Sequence, residues 1–223
     1  MRQPEYADWG LTPYAEAYER QKALFDAAVE RKTDRKPARN TLIFCEHPHV
    51  ITIGKHGSNA NLLLPEEILK EKQIPLFHVD RGGDVTYHGP GQLVGYPILD
   101  LESFRIGLKE YIYRIEAAVI DLLAEYNIKG ERLAGAAGVW INAGRAGEAR
   151  KICAVGVKSS RYVTMHGFAL NVFTDLEYFN LINPCGFKDK GVTSMEQELA
   201  REVAMGEVKG RLLACFVRRV AEG

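Results

Sequence analysis

The chain has 223 residues, about one and a half times the length of a typical ~150-residue domain, so we expect one catalytic-size domain over residues 1–223. Hydrophobic residues make up 46% of it and charged residues 26%, an ordinary globular composition that excludes disordered and collagen-like chains. Its 29 Lys and Arg balance its 29 Asp and Glu, so no net charge attracts nucleic acid or an anionic membrane over long range.

The N-terminal sequence and the cysteines indicate the cellular compartment. The first residues are polar and acidic and lack the basic flank and apolar core of a signal peptide. No apolar run approaches the ~18 residues that a membrane span needs. Cys45, Cys153, Cys185 and Cys215 are widely spaced and form no C-x-x-C pair, so free thiols are expected. We therefore predict a cytoplasmic protein without a membrane partner.

The first half of the chain predicts one helix followed by a sheet. Thr12 suits the N-cap, Pro13 suits the first helical position, and apolar residues recur at helical spacing to about Arg31. Short apolar runs separated by Pro, Gly, Asn and His then predict strands of one sheet, over residues 41–45, 50–54, 76–80 and 92–99.

The second half predicts a helix, further strands and terminal helices. A continuous apolar stripe indicates a helix from about Leu108 to Tyr126. A hairpin and another strand follow, over residues 138–142, 151–158 and 162–172. Thr193 and Glu196 fit a capping box before two short helices. Because there is no regular βαβ repeat, we predict an α/β (α+β) domain with a mixed sheet and flanking helices.

The stretch from Arg81 to Gln92, RGGDVTYHGPGQ, is the most unusual part of the sequence. Gly82 and Gly83 can adopt backbone angles closed to other residues and expose N–H groups, while Arg81 and His88 add donors. Such a loop suits a carbonyl oxygen or an acyl chain. Its composition is equally compatible with a tight structural turn.

Cys185 is the candidate nucleophile because turn-forming residues flank it, whereas the other three cysteines lie inside apolar strand or helix patterns and suit packing. A thiol with a pKa of ~8.5 is only ~3% ionised at pH 7, so a nucleophilic Cys185 needs a basic neighbour. Lys151 and Lys158 bracket one strand and, seven residues apart, point to opposite faces. At most one of them therefore faces a given site, and the pattern does not say which.

Other kinds of site find little support. His47 and His49 would share a strand face, but no third ligand with metal-like spacing follows them. The sequence has no G-x-S-x-G elbow of a serine hydrolase and no G-x-x-x-x-G-K-[ST] phosphate loop. We therefore predict neither a metal nor another cofactor.

With these residues in view, the sequence closely resembles the lipoyl(octanoyl) transferases. Their signature R-G-G-x-x-T-[YF]-H-x-x-G-Q-x-x-x-Y is matched without a gap from Arg81 to Tyr96. Further matches follow in the family's order, at residues 47–54, 138–140, 151–156, 166–171 and 183–186. The resemblance spans residues 41–198, whereas the first forty residues match weakly.

The resemblance implies the fold of the biotin and lipoate protein ligases and gives roles to particular residues. Cys185 would be the acyl-accepting nucleophile, and Lys151 would lower its pKa and act as general acid and base. The acyl pocket would be lined by Arg81, Gly82, Gly83, Asp84, Val85, Thr86, Tyr87, His88, Ala154, Val155, Gly156, Gly167, Phe168 and Ala169.

The resemblance also implies the reaction, which is transfer of an octanoyl group from octanoyl-acyl carrier protein (octanoyl-ACP) to a lysine through a Cys185 thioester. The expected acceptors are lipoyl domains of 2-oxoacid dehydrogenase E2 subunits and the glycine cleavage H protein, and the expected state is a monomer. Because ACP is acidic, the patch of this protein that docks it would be basic. The candidates are Arg145, Arg150, Lys158 and Arg161, for which ordinary solvated charge is the alternative interpretation.

Three alternatives stay open at this stage. An ATP-dependent lipoate or biotin-type ligase would share the fold and need no cysteine nucleophile. A non-catalytic module would bind lipoyl domains or acyl carriers without turnover. A thioesterase would release free octanoate even when a lipoyl domain is present.

Overall fold

The computed structural model describes residues 3–145, 147–183 and 190–221. The strands in these ranges are β1 (Glu5–Leu11), β2 (Thr41–Glu46), β3 (Val50–Ile53), β4 (Leu76–His78), β5 (Val85–His88), β6 (Gln92–Ile98), β7 (Glu131–Leu133), β8 (Ala136–Ile141), β9 (Arg150–Ser160), β10 (Val163–Asn171) and β11 (Gly191–Val192). The α-helices are α1 (Tyr14–Thr33), α2 (Glu66–Glu71), α3 (Leu108–Glu125), α4 (Met195–Leu199) and α5 (Met205–Phe216). The mixed α/β architecture predicted from the sequence is confirmed.

Eight strands form a large sheet in the order β1-β2-β6-β10-β9-β8-β7, with β11 paired to the start of β9. β1 runs parallel to β2 and β11 parallel to β9, whereas the other pairs are antiparallel. The predicted hairpin is confirmed as β8 and β9, and the predicted strand after it as β10.

Strands β3, β4 and β5 form a separate sheet in the order β4-β3-β5. The expectation of one sheet for all the strands in the first half is therefore wrong. β3 pairs parallel with β4 on one side and antiparallel with β5 on the other, so both of its edges are used within the small sheet. A period-2 pattern indicates that a segment is a strand but does not identify its partners.

Five of these strands and helices were not predicted, among them the short strands β7 and β11. β5 lies inside the stretch interpreted as a loop, β1 precedes the first predicted helix, and α2 lies between β3 and β4. β1 is an edge strand with exposed and half-buried residues, so its sequence carries little apolar signal.

Two predicted helix caps are wrong by one residue. The hydroxyl of Thr12 donates to the carbonyl oxygen of Trp9 at 2.7 Å, and Pro13 occupies the N-cap of α1 without a side-chain bond. Ser194, not Thr193, caps α4, because its hydroxyl accepts a hydrogen bond from the backbone N–H of Gln197.

The two faces of the large sheet are covered by different helices. Alternate residues of β2 face opposite sides of the sheet. Leu42 and Phe44 pack with α3 and α5, whereas Ile43 and Cys45 pack with α1. Both faces are buried, which explains why the β2 sequence is almost continuously apolar. None of the helices in the described ranges is long and apolar enough to cross a membrane.

Candidate active site

A cavity of about 460 Å³ lies between the large sheet and the small sheet. The large sheet contributes alternate residues of β6, namely Gln92, Val94 and Tyr96, together with parts of β8, β9, β10 and β11. The small sheet contributes β5 and the segment before it, and α1 contributes Tyr14. This volume is within the ~300–1,000 Å³ typical of small-molecule sites, and much of the wall is apolar.

The segment 81–84 is attached to both sheets. Arg81 is buried, and its Nη2 donates to the backbone oxygen and to the hydroxyl of Thr52 in β3, at 2.9 Å each. The backbone N–H of Gly82 donates to the carbonyl oxygen of Val157 in β9 at 2.9 Å. The segment that contains Gly82 and Gly83 therefore bridges the two sheets and lines the cavity, with Gly82 half-buried and Gly83 exposed.

His88 is a buried, neutral imidazole on the cavity wall. The amide nitrogen of Gln92 donates to Asn171 Oδ1 at 2.9 Å and to the Tyr87 carbonyl oxygen, so Gln92 Oε1 is the acceptor for His88 Nδ1–H at 2.7 Å. Burial, with a smaller effect of the nearby His47, lowers the pKa of His88 to about 3. His88 is therefore uncharged at neutral pH, with Nδ1 protonated and Nε2 an acceptor.

A chain of hydrogen bonds continues from His88 to the strand that carries Lys151. Asn171 Nδ2 donates to the backbone oxygen of Thr193 at 2.9 Å. The backbone N–H of Thr193 in turn donates to the backbone oxygen of Lys151 at 3.0 Å. The signature stretch and the lysine are thus connected through β6, β10 and the residue after β11.

The prediction that Lys151 and Lys158 lie on opposite faces of β9 is wrong, because the pairing of β8 with β9 is irregular between Cys153 and Lys151, and the extra residue puts both lysines on the same side of the strand. Lys151 lies on the cavity wall, with its Nζ 4.7 Å from the centre of the Trp140 ring. Lys158 lies away from the cavity wall and binds Asp80 at 2.6 Å. Of the two candidate bases, Lys151 is the one with access to the cavity.

His166 is a cavity residue that the sequence did not single out. It lies in β10 with φ 61°, in the left-handed region where a residue other than glycine is strained. Its Nε2 is 2.8 Å from Asp80 Oδ1, and burial lowers its pKa although Asp80 opposes this effect. Asp80 therefore joins Lys158 of β9, His166 of β10 and the segment that begins at Arg81.

The cysteines divide as predicted where the structure describes them. Cys45, Cys153 and Cys215 are buried and pack in the two main clusters. Burial raises the pKa of all three thiols, that of Cys215 to about 11, so they are un-ionised at neutral pH. Cys185, the predicted nucleophile, lies outside the described residues. Before it, the backbone N–H of Asn183 donates to the Asn61 oxygen at 2.8 Å, and after it Lys190 lies on the cavity wall.

The structure brings the other predicted pocket residues together on this wall, with one exception. Tyr87 alternates with Thr86 and His88 along β5, and its buried ring faces the small-sheet cluster. Its hydroxyl pairs with His49 Nδ1 at 2.7 Å, and its ring stacks on Tyr178 at 5.0 Å. Assigning the whole range from Arg81 to His88 to the pocket disregards this alternation.

Several further residues line the cavity that the sequence analysis did not assign to it. They are Tyr14, His56, Gln92, Val94, Tyr96, Gly135, Ala136, Ala137, Trp140, His166, Asn171, Phe179, Lys190, Gly191 and Val192. Alternation along β6 would have predicted that Gln92, Val94 and Tyr96 share a face. The contribution of α1 depends on tertiary packing and has no local signal.

His47 and the four candidate docking cations have hydrogen-bond or ion-pair partners within the protein. His47 bridges the Thr12 carbonyl oxygen and the Tyr96 hydroxyl, at 2.7 Å each. Throughout residues 3–145, 147–183 and 190–221, no group of three His, Cys, Asp or Glu side chains could hold a metal ion. The candidate docking cations are also engaged: Arg145 with Glu148, Arg150 with Glu198, Lys158 with Asp80, and Arg161 with the Thr33 hydroxyl.

Comparison with known proteins gives a consistent picture. The family model of the lipoyl protein ligase A/B catalytic domain matches residues 13–217. An octanoyltransferase of Bacteroides thetaiotaomicron is 59% identical over 205 residues, which cover 92% of this chain and 90% of that protein. An octanoyltransferase of Parabacteroides distasonis is 53% identical, with 97% and 98% covered. One of Porphyromonas gingivalis is 57% identical over 96% of this chain, which spans only 43% of that longer protein.

Solved structures show the same fold at low sequence identity. A bipartite lipoate protein ligase of Thermoplasma acidophilum superposes with a TM-score of 0.73 at 17% identity, covering 99% of this chain and 85% of that one. A biotin protein ligase of Aquifex aeolicus gives a TM-score of 0.53 at 12% identity, covering 98% and 70%. The predicted relation to the fold of the lipoate and biotin protein ligases is therefore confirmed.

Proposed function

Since this chain belongs to the lipoyl protein ligase A/B catalytic-domain family and is an acyltransferase of protein lipoylation like its octanoyltransferase relatives, we propose that it transfers an octanoyl group from octanoyl-ACP to a lysine of lipoyl domains. The observation that carries this proposal is Lys151 on the wall of a largely apolar cavity that the segment 81–84 also lines. An apolar cavity suits an alkyl chain, and a lysine at its wall suits proton transfer at the acyl carbon.

The first half-reaction forms an acyl-enzyme. Lys151 Nζ, as the neutral amine, takes the proton of the Cys185 thiol, and the thiolate attacks the thioester carbonyl carbon of octanoyl-ACP. The bond between that carbon and the pantetheine sulfur breaks, and the leaving thiolate takes the proton from Lys151. The products are an octanoyl-Cys185 thioester and ACP with a free thiol.

The second half-reaction forms the amide. The acceptor lysine, with an ordinary pKa of ~10.4, is almost entirely protonated at neutral pH and must lose a proton to attack. Its neutral amine attacks the acyl carbon, Lys151 removes the second amine proton, and the bond to Cys185 sulfur breaks. The thiolate of Cys185 is then reprotonated by Lys151, which completes the cycle.

The walls that bind the alkyl chain would be Val94, Ala154 and Ala169, which line the cavity on β6, β9 and β10. The acceptors that we propose are the lipoyl domains of E2 subunits and of the H protein. We also retain the cytoplasmic location, the monomer and the single domain over residues 1–223 as predictions. No ATP enters this scheme, because the thioester donor is already activated.

Intact-protein mass spectrometry with octanoyl-ACP, without ATP and without acceptor, tests the proposal. The wild type should gain one octanoyl group that hydroxylamine removes, and Cys185→Ala should gain none. Lys151→Ala should form the adduct much more slowly, whereas the control Lys129→Ala, which removes an exposed lysine that does not line the cavity, should resemble the wild type. Cys45→Ala is the control for loss of a buried thiol.

Addition of a lipoyl domain separates the alternatives. Transfer of the octanoyl group from the isolated adduct to one lysine supports the transferase. Modification that occurs only with free octanoate and ATP, and persists in Cys185→Ala, would establish the ligase instead. Free octanoate as the main product in the presence of the acceptor would indicate a thioesterase, and binding without turnover would indicate a non-catalytic module.

A further inference from the structure

Trp140 is placed opposite Lys151 by an irregularity in the sheet. In the pairing of β8 with β9, Val139 is opposite Cys153, but the next residue, Trp140, is opposite Lys151. β9 therefore carries one extra residue, Ile152, at this point. Such a bulge re-aims neighbouring side chains and is frequent beside active sites. In a regular ladder Trp140 would have been opposite Ile152 instead.

The bulge turns the Trp140 ring toward the Lys151 ammonium. Lys151 Nζ is 4.7 Å from the ring centre, within the ~6 Å range of a cation–π interaction. Trp140 is almost completely buried, with 2% of its surface exposed, and both side chains line the cavity. The attraction is therefore less screened by water than it would be at the surface.

The backbone before Trp140 is held by a buried carboxylate on α3. Glu116 Oε1 accepts the N–H of Gly138 at 2.9 Å, and Glu116 Oε2 binds Arg132 Nε at 2.9 Å. Gly138 has φ +115°, and a Cβ there would lie 2.4 Å from the Cys153 carbonyl oxygen. A glycine is therefore required where β8 approaches β9, and Glu116 fixes the strand that carries Trp140.

We infer that Trp140 is a positioning residue whose ring stabilises the protonated form of Lys151. This inference rests on the proposed role of Lys151 as the acid and base. The ring face attracts the ammonium but gains little from the neutral amine, so it favours the state in which Lys151 has taken the proton of the nucleophile. Charged groups on the adjoining elements have partners of their own, since Arg150 binds Glu198 and Glu116 binds Arg132. Lys190 lines the same cavity and belongs to this environment.

Fluorinated tryptophan tests this inference without changing the shape of the side chain. The chain has only two tryptophans, so a Trp9→Phe background leaves Trp140 as the single labelled position. The Arg20 guanidinium lies over the Trp9 ring, 4.0 Å from its centre, and neither residue lines the cavity. Mono-, di- and trifluorotryptophan withdraw electron density from the ring face in steps. We expect the apparent pKa of Lys151, read from the pH profile of octanoyl-adduct formation, to fall stepwise along this series, because only the ammonium is attracted to the ring face.

Side-chain variants extend the series. Because a buried cation–π contact is worth roughly a two- to thirty-fold change in an equilibrium, Trp140→Leu should raise the acid dissociation constant of the Lys151 ammonium within that range, and Trp140→Phe should reverse part of this change. Trp140→Leu also leaves a gap in the core, so the fluorinated series decides if that variant does not fold. An apparent pKa of Lys151 that is independent of fluorine number, with Trp140→Phe no different from Trp140→Leu, would overturn the inference.

A second readout does not depend on turnover. Competitive acetylation with isotopic mass spectrometry measures the reactivity of the Lys151 amine, which reflects its neutral fraction. Reactivity should rise as the Trp140 ring is fluorinated, while that of Lys129, an exposed lysine, should not change. If the wild type forms no octanoyl adduct, the proposed function fails, yet this labelling still tests Trp140. Unchanged Lys151 labelling would refute the role of Trp140 even in an active enzyme.

Discussion

Gly156 in β9 faces Gly82 so closely that a Cβ at Gly156 would lie 2.8 Å from the Gly82 carbonyl oxygen. The same Cβ would lie 3.3 Å from Cδ of Arg81. Since Gly82 is also hydrogen-bonded to Val157, the segment 81–84 cannot move away from β9 without breaking that bond. The close approach of these two backbones therefore sets the shape of one cavity wall.

Gly156→Ala should damage the cavity more than the fold. The added methyl group forces the 81–84 segment outward, at a cost of about 1–3 kcal/mol in the free energy of unfolding. At a temperature where the variant is fully folded, loss of stability alone would leave the rate of octanoyl-adduct formation unchanged. We expect that rate to fall nevertheless. Urea unfolding and intact mass spectrometry measure the two effects.

Gly206→Ala is the matched control for that substitution. Gly206 lies in α5, and a Cβ there would meet nothing within 4 Å. Alanine should stabilise the helix by about 0.5–1 kcal/mol without changing the adduct rate. Equal adduct rates for Gly156→Ala and the wild type would show that the 81–84 segment does not shape the acyl site.

Ala154 and Ala169 form a direct cross-strand pair between β9 and β10, and both line the cavity. Ala169→Leu should occupy space that a long acyl chain needs. We expect the adduct rate with octanoyl-ACP to fall by roughly tenfold or more, while butyryl-ACP is affected less. Ala27→Leu, on the exposed surface of α1, is the control for the added side chain. A uniform loss with both donors would place the alkyl chain elsewhere.

Asp80→Asn should disturb the positioning of the site while leaving stability nearly unchanged. Burial raises the pKa of Asp80, but hydrogen bonds from His166 and Lys158 outweigh this and hold it below its ordinary value. Because the carboxylate is partly exposed, the ion pair contributes at most ~1 kcal/mol to stability. We expect a several-fold slower adduct formation and an almost unchanged urea midpoint.

The control for Asp80→Asn is Glu102→Gln, which removes an exposed carboxylate that binds Lys32 and does not line the cavity. Glu102→Gln should leave the adduct rate at the wild-type value. If both variants behave alike, the contact between Asp80 and His166 has no part in positioning the site.

Local patterns were sufficient to predict some of these relationships. The seven-residue interval between Lys151 and Lys158 predicted opposite faces, but the extra residue in β9 puts both lysines on the same side of the strand. The apolar stripe from Leu108 predicted α3 almost to its last residue. The helix depends only on local backbone periodicity, which a sequence carries directly, whereas the orientation of the two lysines depends on how β8 pairs with β9.

Tertiary relationships explain what the sequence could not predict. The extra residue in β9 that brings Trp140 opposite Lys151 depends on how two strands pair, and no property of Ile152 reveals it. The left-handed φ of His166 is imposed by its surroundings, because histidine does not favour that conformation. Division of the strands into two sheets likewise depends on partners, and it is this division that creates the cavity.

The two buried imidazoles His47 and His88 should make stability depend on pH. Burial lowers the pKa of His47 to about 4 and that of His88 to about 3, whereas an unfolded chain has a histidine pKa of ~6.5. Between these values the unfolded state binds more protons than the folded state, so the free energy of unfolding decreases as the pH falls below ~6.5.

Urea unfolding at several pH values from about 7.5 down to about 5 tests this linkage. Each histidine contributes a slope of up to ~1.4 kcal/mol per pH unit, so the pair contributes up to ~2.7 below the unfolded pKa. His88→Asn should remove about half of the slope that this pair contributes, whatever its effect on the free energy of unfolding at pH 7.5. The slope depends on the number of protons bound in each state and not on the contacts that the substitution removes. An unchanged slope would mean that His88 is protonated in the folded protein, which would contradict its neutral state on the cavity wall.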